Sequence, residues 1–141
     1  MTAKQLTLIV QPGLYGVCRL STAEPVPEWS LQGEFFSLSR TAEEISIVCT
    51  EAQIPPTVLC ERSWRMFKIA GILDFALIGI VAGVSSALAA AQLGIFVLST
   101  YNTDYILVKQ ADFPAAVAAL RTAGYEVLGE QKAGLMIESQ R

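Results

Sequence analysis

Residues 36–49, FSLSRTAEEISIVC, and residues 96–109, FVLSTYNTDYILVK, align without a gap sixty positions apart. Phe36/Phe96, Leu38/Leu98, Ser39/Ser99 and Val48/Val108 are identical, and Glu44 falls opposite Asp104. Both copies read strand, short polar turn, strand. Leu6–Val10 matches Met66–Ala70 at the same offset, with Ile9 opposite Ile69. A duplicated hairpin preceded by a matching strand restricts the chain to architectures built from two related halves.

The second half has a readable order. Trp64–Ala70 alternates and is β-rich, so it predicts a strand. Residues 78–93 predict a helix stopped by Gly94 at the C′ position. Ile80, Val84, Ala87, Leu88 and Ala91 share one of its faces. The opposite face, Ala82, Gly83, Ser86, Ala89 and Ala90, is small and uncharged, so the helix is expected to be covered on both sides. Residues 95–100 and 105–109 form a hairpin around Tyr101–Asp104. A second helix starts at Asp112 as N-cap, tolerates Pro114 in its first turn and ends at Gly124. Phe113, Ala116, Val117 and Leu120 make its apolar stripe. Strands at 125–128 and 135–138 complete a β-α-β-β-α-β order, the split-βαβ or ferredoxin-like pattern.

The first half keeps the strands and loses the helices. Pro25 and Pro27 fall where the first helix belongs, in residues 19–33, and Pro55 and Pro56 where the second belongs, in 52–63. A proline inside a helix costs about 3 kcal/mol, so neither segment forms a full helix.

Composition narrows the functional classes. The chain has 141 residues, 52% of them apolar and 16% charged, which suits one folded domain with a real core. That apolar excess implies surface hidden in an oligomer or under a ligand. The net charge is −3 and the ten basic residues are scattered, so no stripe exists to neutralise a phosphate backbone, and nucleic-acid binding is not expected. Cys18, Cys49 and Cys60 form no CxxC pair, so neither a zinc site nor a disulfide framework is indicated; reduced thiols in a cytoplasmic protein are the expectation. The apolar run near the N-terminus is too short for a signal peptide. Residues 75–103 carry no charge, a length that could span a bilayer. Gly79, Gly83, Ser85, Ser86, Gln92 and Gly94 interrupt them, and IFVLST reads as a strand. A buried helix followed by a central strand is the reading, not a membrane span.

Catalysis finds little to work with. Histidine is absent, which removes the commonest general base and metal ligand. Ser85 and Ser86 lack a base and sit in no GxSxG elbow. Glu43 and Glu44, read as adjacent strand residues, point to opposite faces and share no acid/base work. Trp29 and Trp64 read as core. No cofactor, no metal and no enzymatic activity are expected.

The run GILDFALIGIVAGVSSALAAAQLGIFVLSTYNTDYILVK resembles the ACT domain, in particular the tandem modules of aspartokinase regulatory regions and of arginine sensors. The likeness lies in a glycine-containing loop entering the first helix, then I-x-V-x-S-T, a short turn, an Asp, and I-x-V. It implies an α+β fold of two ferredoxin-like βαββαβ repeats packed as one unit. Residues 1–63 would be a degenerate, strand-rich first repeat and 64–141 a complete one. It also implies a regulatory module that binds a small amino acid between units, as a homo-oligomer or with a partner protein. The ligand residues carried over are Gly71, Leu73, Asp74, Gly79 and Ile80 on the loop and helix start. On the hairpin they are Ser99, Thr100, Asn102 and Asp104. A helix N-terminus with unpaired N–H groups suits an α-carboxylate, and Asp104 is the nearest obvious anion for an ammonium. Asp74 also reads as a helix or loop cap and Asp104 as a turn residue, and a ligand-free oligomerisation module is the competing reading.

Overall fold

The elements follow in the order β1 (Thr7–Val10), β2 (Tyr15–Leu20), β3 (Phe36–Arg40), β4 (Ile45–Thr50), β5 (Cys60–Ile69), α1 (Ile80–Ala90), β6 (Phe96–Ser99), β7 (Asp104–Lys109), α2 (Phe113–Thr122) and β8 (Glu126–Leu128). They belong to a computed structural model that describes residues 6–70 and 79–129. The expected loop at Gly71, Leu73 and Asp74 and the expected strand at 135–138 lie outside those residues. The fold is mixed α+β, and from β5 onward the elements follow the ferredoxin-like order. The described residues divide into two compact units, Gly13–Trp64 and a second comprising residues up to Pro12 and from Arg65 onward.

Within Gly13–Trp64 the strands lie in the order β3-β4-β2-β5, all antiparallel. Cys18, Ile45, Ile47, Cys49 and Ile54 form the core, with Trp29 packed against it. The helical structure in and beside the proline-bearing segments is limited to 3₁₀ turns, Glu28–Leu31 and Glu51–Gln53. Between β2 and β5 the register slips: Tyr15 faces Trp64 but Val17 faces Glu61, so β5 carries an extra residue there. Ser63 takes the strained position of this bulge at φ +67°. Its N–H donates to Glu51 Oε1 at 2.6 Å, which satisfies the amide the ladder has lost.

In the second unit β7 pairs with both β6 and β5, and β1 lies between β5 and β8. β1 runs antiparallel to β5, with Leu8 facing Ile69, and parallel to β8, with Leu8 facing Val127. The first strand of the sequence is therefore inserted between the first and last strands of the βαββαβ order. Leu8, Phe67, Ile69 and Ile106 share a core with Val84 and Leu88 of α1 and Ala116 and Leu120 of α2. Phe113 stacks on Phe67, ring centroids 5.5 Å apart, and the Arg65 guanidinium lies 4.0 Å over its ring.

The helix ends correct two sequence expectations. α1 ends with Gln92, not Gly94, in the left-handed C′ position, at φ +62°. Gln92 N–H donates to Ala89 O at 2.8 Å and Leu93 N–H to Leu88 O at 3.1 Å, the paired bonds of a Schellman stop. The bonding pattern, which sequence does not display, decides where the reversal falls. Asp112 does precede α2, but its side chain makes no capping bond. Its backbone is already helical at φ −92°, ψ −5°, because a 3₁₀ turn at Gln110–Asp112 runs straight into the helix. Gly124 closes α2 as expected, at φ +100°.

The small-residue face of α1 also differs from expectation. Ala82, Ser86, Ala89 and Ala90 are exposed rather than covered. Gly83 does meet a neighbour, since a Cβ there would lie 2.6 Å from the Tyr125 hydroxyl oxygen.

Hydrogen bonding shifts the internal repeat by one residue. Thr41 N–H donates to Glu44 O in the first hairpin, and Thr100 N–H to Thr103 O in the second, both at 2.9 Å. The flanking pairs are Arg40 with Ile45 and Ser99 with Asp104. The 3₁₀ turns that follow, Glu51–Gln53 and Gln110–Asp112, stand in the same relation. The structural offset is thus Thr41 to Thr100 and Ile45 to Asp104, one less than identities suggest. Glu44 corresponds to Thr103, not to Asp104. Glu43 and Glu44 lie in the turn before β4 rather than within a strand.

Candidate functional site

The hairpin β6–β7 places the carried-over residues in one cluster. Asp104 opens β7, half-buried, directly opposite Ser99 at the end of β6. The Ser99 hydroxyl donates to Asp104 Oδ1 at 2.5 Å. That bond fixes the carboxylate and leaves its second oxygen for another donor. Asp104 has no ion pair among the described residues. Asn102 is exposed at the turn.

Thr100 holds the turn together. Its N–H donates to the Thr103 carbonyl, and its Oγ1 lies 3.2 Å from that carbonyl and 3.4 Å from the Thr103 nitrogen. Thr41 Oγ1 does the matching work in the first hairpin, accepting from the Glu43 and Glu44 amides at 3.1 Å. Thr100 therefore has a structural task that the sequence reading did not anticipate.

Thr103, absent from that reading, is the residue that locates the cluster. It is 3% exposed, and its hydroxyl donates to the Ile69 carbonyl at 2.7 Å. Ile69 ends β5, and the next residue, Ala70, donates its N–H to Thr7 O at 2.9 Å. The hairpin turn is thereby bonded to the strand that leads into residues 71–78. No periodicity marks Thr103 in the sequence, where it is one more polar turn residue. Aligning the turns on Thr41 and Thr100 would have singled it out as the position occupied by Glu44 in the other half.

At the helix side, Gly79 is the N-cap of α1 at φ +80°, and a Cβ there would meet nothing within 4 Å. Backbone conformation, not crowding, explains that glycine. Among the described residues no side chain caps the helix and no acidic residue stands in its first turn. The leading amides of an α-helix have no intrahelical acceptor, so this end suits an anion. Ile80 is half-buried and packs on the core, which makes it a wall rather than a polar contact. Gly71, Leu73 and Asp74 lie outside the described residues.

The two hairpins are not equivalent as sites. In the first unit Ile45 stands where Asp104 stands in the second, and it is 2% exposed, part of the core. Arg40 replaces Ser99. Glu44, in the Thr103 position, reaches Arg19 at 4.0 Å instead of bonding a strand carbonyl. The carboxylate–hydroxyl pair belongs to the second hairpin alone. Among the described residues no group of three or more metal-ligating side chains is placed to hold an ion, and no helix is long and apolar enough to cross a membrane.

Comparisons with known proteins bear on the fold. The ACT domain family profile matches residues 59–122, and a profile for an N-terminal domain family matches residues 13–57. A crystal structure from Agrobacterium tumefaciens is 39% identical and superposes with a TM-score of 0.84 over 89% of this chain and 93% of that one. A Vibrio cholerae protein of unknown function, called a possible transport protein, shares the fold at 17% identity, with a TM-score of 0.71 over 87% of this chain and 93% of that one. The regulatory subunit of aspartate kinase from Thermus thermophilus does so at 9% identity, with a TM-score of 0.56 over 81% and 93%. The human cytosolic arginine sensor for mTORC1 subunit 1 is 35% identical over 95 residues, 62% of this chain and 29% of that protein. This chain therefore spans less than a third of the sensor. The fold is that of the ACT, ferredoxin-like regulatory domains. The chain contains an ACT domain at residues 59–122.

Proposed function

We propose that the second unit is a non-catalytic regulatory domain that binds a small amino acid at an ACT-type interface and reports its occupancy through contacts between repeats or subunits. Asp104, steadied by Ser99, receives an ammonium or cationic side-chain group. The amides at the start of α1, with the backbone of residues 71–79, receive the α-carboxylate. Residues 1–63 act as a degenerate repeat that keeps the hairpin without the acidic position, and the protein works in the cytoplasm. Signalling follows from differential affinity: a ligand bridging two units favours the arrangement in which both contact it.

The observation that supports this reading is the Thr103–Ile69 bond, which ties the acidic hairpin to the end of β5. The names of the relatives, an arginine sensor and aspartate kinase regulatory subunits, support the ligand class. A second reading, a ligand-free assembly module, draws on the exposed small-residue face of α1.

A thermal-shift screen of the apo protein against the twenty amino acids at millimolar concentration separates the two. Binding to the folded state alone raises the melting temperature in proportion to the logarithm of ligand concentration. The proposal expects at least one amino acid to stabilise the wild type and to lose that effect in Asp104→Asn. Silence across all twenty leaves the assembly reading standing.

A further inference from the structure

Cys18 and Cys60 face each other on neighbouring antiparallel strands, with their sulfurs 3.5 Å apart. The Arg19 N–H donates to the Leu59 carbonyl at 3.0 Å, outside the pair. Cys18 and Cys60 are therefore a non-hydrogen-bonded pair, the kind whose Cα atoms approach to about 4.5 Å. A disulfide accepts Cα separations of roughly 4.4–6.8 Å, so side-chain rotation alone can close the bond. Gly16 leaves the room: a Cβ there would come within 2.7 Å of Cys60 Sγ and would also strike Ile54 Cδ1.

The thiols differ in access. Cys18 is 1% exposed and Cys49 is fully buried, while Cys60 is half-buried and open to solvent. Burial pushes the Cys18 thiol far up, and the neighbouring Cys60 adds to the effect. Burial also raises Cys49, to about 11. Cys49 faces Gly16 across the β2–β4 ladder, and the residue facing Cys18 there is Ile47. The sulfur that meets an oxidant first is that of Cys60, and the one beside it is that of Cys18.

We propose that Cys18 and Cys60 are a reversible oxidation site, closed into a cross-strand disulfide by a hydroperoxide. Cys60 sulfur attacks the peroxide oxygen, breaking the O–O bond, and becomes a sulfenic acid while the hydroperoxide leaves as alcohol or water. Cys18 sulfur then attacks Cys60 sulfur and expels its hydroxyl as water, which carries away the Cys18 proton. Two thiols are oxidised by two electrons and one hydroperoxide is reduced. The new bond ties β2 to β5 across a sequence separation of 42 residues. Restricting a loop of that length in the unfolded chain stabilises the oxidised form over the reduced one.

The test uses the full chain, reduced and then treated with hydrogen peroxide. The expected result is a fall from three titratable thiols to one under denaturing conditions, with peptide mapping showing Cys18 joined to Cys60. The melting temperature rises on oxidation and returns after dithiothreitol. Cys49→Ser keeps the reaction, whereas Cys60→Ser and Cys18→Ser abolish it. If a serine variant fails to fold, the map on wild type and on Cys49→Ser decides alone. Three surviving thiols, a sulfinic acid on Cys60 without a link, a bond to Cys49, or a disulfide between two chains would each overturn the proposal.

Discussion

The Thr103 hydroxyl donates to the Ile69 carbonyl at 2.7 Å, and this one bond joins the turn of the β6–β7 hairpin to the end of β5. Thr103 also closes its own turn through Thr100, so strand, turn and hydroxyl are fixed together. Thr103→Val keeps the shape but removes the donor and strands a buried carbonyl. A loss of about 1–3 kcal/mol is expected in urea denaturation, most of it recovered by Thr103→Ser. On the proposed function, amino-acid affinity follows the same order, falling in the valine variant and persisting in the serine one. Equal stability of all three proteins would remove this bond from the account.

Gln92 holds a conformation that a side chain resists. Its φ of +62° is forced by the two carbonyl-satisfying bonds at the end of α1. The left-handed region costs a non-glycine residue roughly 1–2 kcal/mol, part of which glycine returns through its looser unfolded state. Gln92→Gly is therefore expected to stabilise by about 0.5–1 kcal/mol. Gly94→Ala is expected to be near neutral, because a Cβ there meets nothing within 4 Å and its φ is not positive. Denaturation midpoints for the two variants check the assignment, and the opposite ranking would restore Gly94 as the stop.

How far the sequence could be read depends on the kind of signal each residue gives. The order of β5, α1, β6, β7, α2 and β8 was legible because periods of 2 and 3.6 residues persist along those segments. The loss of full helices in the first unit was legible because Pro25, Pro27, Pro55 and Pro56 forbid them. The insertion of β1 between β5 and β8 was not, since pairing partners distant in sequence leave no local trace. The repeat was found but set one residue out. Phe36/Phe96 and Leu38/Leu98 reward an offset that the Thr41 and Thr100 turns contradict. Ser99 and Asp104 emerged from resemblance, and the structure supplies the bond between them. Thr103 and the Cys18–Cys60 pair emerged from coordinates alone, because each is defined by what lies across a strand.

Gly83 and Tyr125 form a close contact that predicts a conditional cost. The Tyr125 hydroxyl oxygen would lie 2.6 Å from a Cβ at position 83, while Tyr125 itself is 6% exposed. Alanine favours a helix over glycine by about 0.8–1 kcal/mol, yet a displaced ring in a packed core costs about 1–3 kcal/mol. Gly83→Ala is expected to be net destabilising. In the Tyr125→Phe background, where the hydroxyl is gone, the same change is expected to become neutral or favourable. A double-mutant cycle by chemical denaturation reads the coupling directly. An additive cycle would mean that the ring moves aside without cost.

Alkaline pH tests the buried thiols. Burial raises Cys49 from 9.0 to about 11 in the folded chain, and raises Tyr105 and Tyr125 above their usual value of 10.0 for the same reason. For a group raised on folding, the unfolded chain gives up its proton first. Stability is therefore complete below the unfolded value and declines as pH climbs through the window up to the folded one. Under reducing conditions Cys49 alone contributes a slope of roughly 1.4 kcal/mol per pH unit between about pH 9 and 11. Cys49→Ala is less stable at neutral pH, through the lost packing of a core side chain, but its stability falls less steeply above pH 9. Urea midpoints at pH 8, 9, 10 and 11 give the difference curve, in which the titrating groups not coupled to Cys49 cancel. Parallel curves for the two proteins would mean that the Cys49 thiolate is tolerated inside the core, against the burial that the fold imposes on it.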